Sequence, residues 1–480
     1  MTGRAFLLAL ILCPSALHAD DKPIELGSRR ELFVDRYLID KLDGVSLRLE
    51  TPRDEGIVLK FDKPWEGPFC AYCTVLRDGG EYRVYYRGSA GGKDGSPTEV
   101  TCVAFSKDGV AWTKPELGLY EVHGTKANNV VLAGLPPFSH NFCPTIDTRP
   151  GVPKDERYKA LAGISKSGLV AFASADGMRW RKLREEPVIT KGAFDSQNVP
   201  FWSDAEQCYL CYFRVFVNRT RRIARSTSKD FLTWTEPVLM GYGDGPVEQL
   251  YTNQTHPYFR APHLYVGVAA RFMPGRQVLT AEQAKAIRVN PKYFHDCSDG
   301  VLITTRGGDK YDRTFPEGFL TPGIGLENWV SRTNYPALNV VPTGPAEMSL
   351  YANQNYGQPT SHLRRYSLRM DGFAAAVAPY TGGELVTKPL TFAGKDLEVN
   401  FATSAAGGIR VELQDESGKP LPGFALADAV ETIGNETDRV IRWKAGTDVG
   451  SLAGRPVRLR FVMKDARLYS FRFVKSEPRP

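Results

Sequence analysis

Three carboxylates, Glu66, Asp195 and Glu248, each lie a few residues ahead of a strand-like segment, in Pro64-Trp-Glu66-Gly-Pro-Phe69, Phe194-Asp195-Ser-Gln-Asn198 and Val247-Glu248-Gln-Leu-Tyr-Thr-Asn253. Carboxylates brought together raise one another's proton affinity, so one serves as an acid while another stays ionised as base or nucleophile. Hydrolysis of a glycosidic bond needs that division of labour: one group protonates the leaving oxygen, and another activates water or attacks the anomeric carbon. Asp147, in Asp147-Thr-Arg-Pro-Gly-Val-Pro, is a rival second carboxylate or a turn former before Pro150-Gly151. His140, Asn141, Gln197, Asn198, Asn253, Arg332 and Asn334 have the hydrogen-bonding types that hold sugar hydroxyls, and Trp65 offers a face for a pyranose ring. Any one of them is also able to satisfy a loop backbone.

Such groups need a scaffold that brings distant segments together, and a repeat supplies one. Ser106-Lys-Asp108-Gly-Val-Ala-Trp112, Ser174-Ala-Asp176-Gly-Met-Arg-Trp180 and Ser228-Lys-Asp230-Phe-Leu-Thr-Trp234 share one pattern, with weaker copies at Thr305 to Tyr311 and Met370 to Phe373. Upstream of each lies a strand of alternating or aromatic character, at 81–87, 157–163, 207–214, 263–272 and 348–354. Strand-rich units at such long periods predict a β-propeller of five blades. Asp-Gly is a turn signal and the Trp a wedge between blades, so the repeated Asp residues read as structural. The first strand of each blade lines the axis, which predicts that the segments entering those strands converge on one axial pocket.

The rest of the chain bounds the reading. Arg4, the apolar run Ala5 to Leu12 and the small residues at Ala16 to Ala19 read as a secretory signal peptide over 1–19, since the apolar run is too short to span a bilayer. The expected location is therefore periplasmic or extracellular. The net charge of +7 is dispersed and no nucleic-acid module or membrane span is evident, so no nucleic-acid or membrane partner is expected. Cys70-x-x-Cys73 and Cys208-x-x-Cys211 fall in strands, where positions i and i+3 point to opposite faces, which argues against metal half-sites. No cofactor or catalytic metal is expected; an axial calcium liganded by His140 or His256 is the alternative. From residue 374 onward, alternating strands without acidic inner segments predict a β-sandwich over 374–480, leaving 20–373 to the propeller. The one helix expected spans 280–287, in an insertion of the fourth blade.

The signal peptide, five repeats, Ser-x-Asp-x-x-x-Trp turns and C-terminal sandwich together resemble the five-bladed propeller glycoside hydrolases of families 32, 43 and 68. The resemblance implies an all-β fold and three inner-strand carboxylates, matched by position to Glu66, Asp195 and Glu248. It also implies a carbohydrate substrate. The Asn-Asp-Pro-Asn, Arg-Asp-Pro and Glu-Cys-Pro signatures of family 32 are absent. A secreted glycoside hydrolase is the expectation; a non-catalytic carbohydrate-binding propeller, or a related propeller lyase or phosphorylase, is the alternative. A lyase would want a Tyr or His base with a charge-neutralising Arg.

Overall fold

The computed structural model describes residues 22–475. The expected signal peptide at 1–19 lies outside them.

Five antiparallel sheets form the propeller, and each starts at its inner strand. Blade I runs Ala71–Asp78, Glu81–Gly88, Val100–Ser106 and Val130–Leu132; blade II runs Cys143–Ile146, Tyr158–Ala162, Val170–Ser174 and Arg181–Lys182. Blade III runs Val199–Ser203, Cys208–Val217, Thr220–Ser228 and Val238–Leu239. In blade IV the inner strand is interrupted: Leu250–Thr252 and His256–Tyr258 both pair with Ala261–Met273, which in turn pairs with Cys297–Thr305. Blade V repeats the interruption, with Tyr335–Pro336 and Val341–Pro342 on Glu347–Gln354, followed by His362–Arg369. Its outer strand, Arg53–Lys60, comes from near the N-terminus and closes the ring. Glu66, Asp195 and Glu248 thus lie in the approaches to the axis, a few residues before the inner strands that begin at Ala71, Val199 and Leu250.

The repeated turns behave as structural elements. Asp176 Oδ1 accepts hydrogen bonds from the backbone N–H of Met178 and Arg179, both at 2.8 Å, while Ser174 Oγ accepts from Gly177 N–H. Asp108 and Asp230 repeat the arrangement. Trp180 of blade II packs edge-on against Tyr85 of blade I, and Trp112 of blade I against Tyr351 of blade V. In the weakest copy, Asp371 is fully buried and accepts from Tyr258 Oη (2.7 Å) and Ser470 Oγ (2.6 Å), with Arg260 at 3.4 Å. That turn joins the propeller to the second unit.

The second unit is a largely antiparallel eight-stranded sheet. Its long strands Asp396–Gln414 and Arg458–Val474 pair along both halves across an irregularity at Thr403/Gly408, and Leu397, Phe401, Ile409, Leu413, Phe461 and Phe473 share one apolar core. Three N-terminal strands belong to it: Glu31–Leu32 pairs with Arg458–Val474, Ile39–Asp43 with Gly383–Thr387, and Ser46–Leu49 with Ala374–Ala378. The expectation that the propeller takes everything from residue 20 is corrected here, because these pairings are entirely long-range and leave no local sequence signal. The helix is Ala281–Ala286, capped by a reciprocal Thr280/Gln283 capping box, within the blade IV insertion.

Candidate functional site

At the axis, groups from every blade meet. Gln197 Nε2 donates to Thr74 Oγ1 of blade I at 2.6 Å and lies 3.6 Å from Cys143 Sγ of blade II. Its Oε1 accepts from Gln254 Nε2 of blade IV at 2.8 Å, and Gln254 also donates to the carbonyl of Pro336 of blade V at 2.6 Å. This cross-brace occupies the middle of the axis and leaves two ends. Gln197, expected to bind sugar, is a structural tie.

The end at which the inner strands finish holds a cavity of about 500 Å3, lined mainly by apolar groups such as Ile146, Phe201, Tyr258 and Val340. Its ionisable groups are engaged elsewhere: Asp78 is bound by Arg157 and Tyr158, and His256 uses both ring nitrogens, Nδ1 on the Gln254 carbonyl (2.9 Å) and Nε2 on Val340 N–H (3.1 Å). Burial pushes His256 down to about 4, so it serves as a neutral structural imidazole. Calcium ligation by His256 is thereby corrected, and among the described residues no three His, Cys, Asp or Glu side chains group to hold a metal ion. All seven described cysteines are free and buried.

The entry end carries the reactive side chains. Tyr251, at the start of the blade IV inner strand, is approached by the guanidinium carbons of Arg214 at 4.8 Å, Arg221 at 5.0 Å and Arg332 at 5.6 Å from its ring centre. Tyr335 packs beside it, with ring centres 5.1 Å apart. Burial opposes ionisation of Tyr251, yet Arg332, Arg214 and Arg221 outweigh it and hold the phenol below its usual range. Tyr72 and Tyr335 are pushed up instead, above all by burial. Tyr72 and Arg332 also adopt φ of 56° and 59°, a strained conformation that costs non-glycine residues about 1–3 kcal/mol and clusters at functional sites.

Asp195 sits at the edge of this group with its side chain one-third exposed. Its oxygens accept from Ser165 N–H (3.1 Å) and Ser165 Oγ (3.0 Å), Arg214 Nη2 lies 3.5 Å away, and its backbone carbonyl accepts from Tyr72 Oη at 3.0 Å. Beyond Tyr72, Arg87 donates to Tyr356 Oη (3.0 Å), and His140 Nδ1 lies 3.1 Å from both Arg87 Nη1 and Glu99 Oε1. His140 Nε2 is buried, without a hydrogen-bond partner among the described residues, and 3.8 Å from the half-exposed Asp94.

The other sequence-picked residues lie elsewhere. Glu66 is fully buried inside blade I, one oxygen accepting from Tyr86 Oη (2.7 Å), the other from Lys63 N–H (2.8 Å) and Lys114 Nζ (2.7 Å). Glu248 is clamped by Arg271 (2.9 Å) and Arg313 (2.6 Å). Asp147 lies toward the far end of the axis, bound to Lys159 (2.8 Å) and Tyr209 (2.6 Å). Trp65 is buried and donates to Asn129. The amides of Asn141, Asn198, Asn253 and Asn334 all donate to backbone carbonyls, and Asn141 ties blade II to Phe194 and Ser196. Of the twelve picks, Asp195, His140 and Arg332 remain at the reactive end. Missed were Arg87, Arg214, Arg221, Tyr72 and Tyr251. A signal existed for two of them: Tyr82 pairs with Ser106 and Tyr209 with Ser228, so Arg87 and Arg214 occupy one repeat position.

No protein-family model and no curated protein matches the chain. Solved structures similar to it include a glycoside hydrolase (TM-score 0.45, 11% identity, covering 66% of this chain and 92% of that one). Others are an N-acetylgalactosamine deacetylase from F. plautii in complex with blood group B trisaccharide (TM-score 0.43, 13% identity, 69% and 97%) and a fructofuranosidase from Schwanniomyces occidentalis complexed with fructosylnystose (TM-score 0.37, 12% identity, 88% and 98%).

Proposed function

We propose that this propeller is an exported carbohydrate-active enzyme that cleaves glycosidic bonds at the entry end of its axis, by hydrolysis. The observation that carries the reading is the placing of Asp195, one-third exposed, with its carboxylate beside Arg214 and its backbone carbonyl on Tyr72 Oη, while Arg214 in turn lies over the Tyr251 ring. Asp195 is the proposed acid or base in place of the Glu66, Asp195 and Glu248 set, because Glu66 is fully buried between Tyr86 and Lys114 and Glu248 is clamped by two arginines. Asp94, beside His140 on the other side of Tyr72, is the second carboxylate the chemistry asks for. Tyr251, held toward its phenolate by three arginines, is the nucleophile or base that a tyrosine-dependent glycosidase employs. Export rests on the leader-like segment 1–19.

A second reading, elimination, is favoured by the same Tyr251 and its guanidiniums, since a lyase abstracts a proton beside a carboxylate that cations stabilise. One experiment separates the two. The purified protein is incubated with a panel of poly- and oligosaccharides in 18O-labelled water, and product ends are analysed by mass spectrometry. Incorporation of the label supports hydrolysis, and unsaturated unlabelled ends support elimination. Absence of any cleavage, or full activity in Asp195→Asn, refutes the proposal.

A further inference from the structure

The arginines around Tyr251 leave a charge unaccounted for. Arg214 has Asp195 as its carboxylate partner at 3.5 Å. Among the described residues, Arg221 and Arg332 have none: Arg221 donates to Gln249 Oε1 (3.2 Å) and Arg332 to Tyr293 Oη (3.2 Å), both neutral acceptors. The Nε of each of the three is buried and without a hydrogen-bond partner among the described residues. With Asp195 ionised the cluster carries two positive charges in excess, and with Tyr251 ionised as well it still carries one.

Guanidiniums withdrawn from water without paired anions are costly, and unmet buried donors add to that cost. Such an arrangement persists when a ligand supplies the missing anion, and guanidinium suits a planar or tetrahedral oxyanion through paired N–H donors. The interior of a packed propeller has no use for the excess. Neutral sugars are held by amides, hydroxyls and aromatic faces, and the amides expected to do so here are tied to backbone instead.

We infer that the substrate is an acidic carbohydrate whose anionic group, the carboxylate of a uronic acid or a sulfate ester, binds against Arg214, Arg221 and Arg332. This rests on the entry end being the substrate site, and it names the substrate class that the cleavage reading leaves open. The anion placed there lies beside the Tyr251 ring, so charge recognition and reaction share one location.

Titration calorimetry of the full-length protein tests it, with oligosaccharides of galacturonate, glucuronate and iduronate, their methyl-esterified forms, sulfated galactose oligosaccharides and neutral oligosaccharides of equal length. At least one acidic member is expected to bind ten-fold or more tighter than its neutral counterpart, weakening as salt is raised. Arg221→Gln and Arg332→Gln are each expected to lose ten-fold or more for that ligand, whereas Arg332→Lys keeps part of the affinity. Carboxylated and sulfated arms tell the two anions apart. Binding of no acidic member, equal binding of neutral and acidic members, or indifference to salt in the unmodified protein overturns the inference. Cleavage of a neutral glycan would overturn it while leaving the cleavage reading intact; binding of an acidic glycan without cleavage would do the reverse.

Discussion

The side chain of Gln197 accepts a hydrogen bond from Gln254 at 2.8 Å, so the third and fourth blades are tied at the propeller axis rather than at their rims. Gln197→Leu removes the acceptor that Gln254 Nε2 shares with the Pro336 carbonyl and the donor to Thr74 Oγ1 in a buried setting, which costs about 1–3 kcal/mol. Urea unfolding is expected to show a lowered midpoint with unchanged slope. A variant as stable as the parent would mean that the brace contributes nothing net.

Among the carboxylates picked from sequence, activity should separate Asp195 from the rest. Asp195→Asn is expected to lower kcat about 100-fold or more, as removal of a general acid or base does, with little change in melting temperature. Glu66→Gln instead takes the buried anion from Lys114 and leaves it only the exposed Asp62 as a charged partner. Loss of one partner from a buried ion pair costs about 3 kcal/mol, so the defect should appear in thermal unfolding. Glu248→Gln should leave kcat within a few-fold.

Tyr251 gives the reaction a pH signature. Its phenolate is the reactive form and three arginines hold the group below its ordinary value, so kcat should rise with pH and level off earlier than an unperturbed phenol would allow. Tyr251→Phe should remove that limb and most of the rate. A pH profile unchanged by the substitution would exclude the role.

His256 should make the fold acid-sensitive. Its folded value of about 4 lies below the ordinary 6.5. Between those limits the unfolded chain binds a proton that the native protein excludes, so stability falls as pH drops from about 6.5 to about 4 and changes no further below. The buried imidazole contributes about 3 kcal/mol to that loss. His256→Gln should flatten this part of the stability curve, measured by denaturant unfolding at each pH against the parent.

Asp176, repeated at Asp108 and Asp230, should matter for stability alone. Asp176→Ala removes the side-chain acceptor of two backbone N–H groups in the turn, a loss of about 1–2 kcal/mol by analogy with helix caps. Turnover per folded molecule should stay at the parent's value.

What was legible in the sequence was what repeats or acts locally. The Ser-x-Asp turns set the blade register, because each is closed by bonds within five residues, and the short helix, Ala281–Ala286, is likewise a local feature. The ion pairs that disable Glu66 and Glu248 were not legible, since Lys114, Arg271 and Arg313 reach them from separate strands and loops. Strand alternation said that polar groups enter the axis without saying whether they meet backbone or solvent. Asn141 and Asn198 met backbone. Tyr251 is not legible, because an aromatic residue opening a strand is indistinguishable from core until its arginine neighbours are assembled.

The strand that closes blade V carries a kinetic consequence. Asp54 and Arg364 are ion-paired across that closure although 310 positions apart in the chain, and the second unit also pairs strands from both termini. Pairings of this span must overcome a large loop-closure entropy before they return any stabilisation, which slows folding. During synthesis Arg53–Lys60 emerges early as an unpaired edge and stays so until the fifth blade has been made. A ribosome-stalled fragment ending before residue 362 should therefore be protease-sensitive throughout, and completion of the ring, rather than of any one blade, becomes the committing event in the protein's biogenesis.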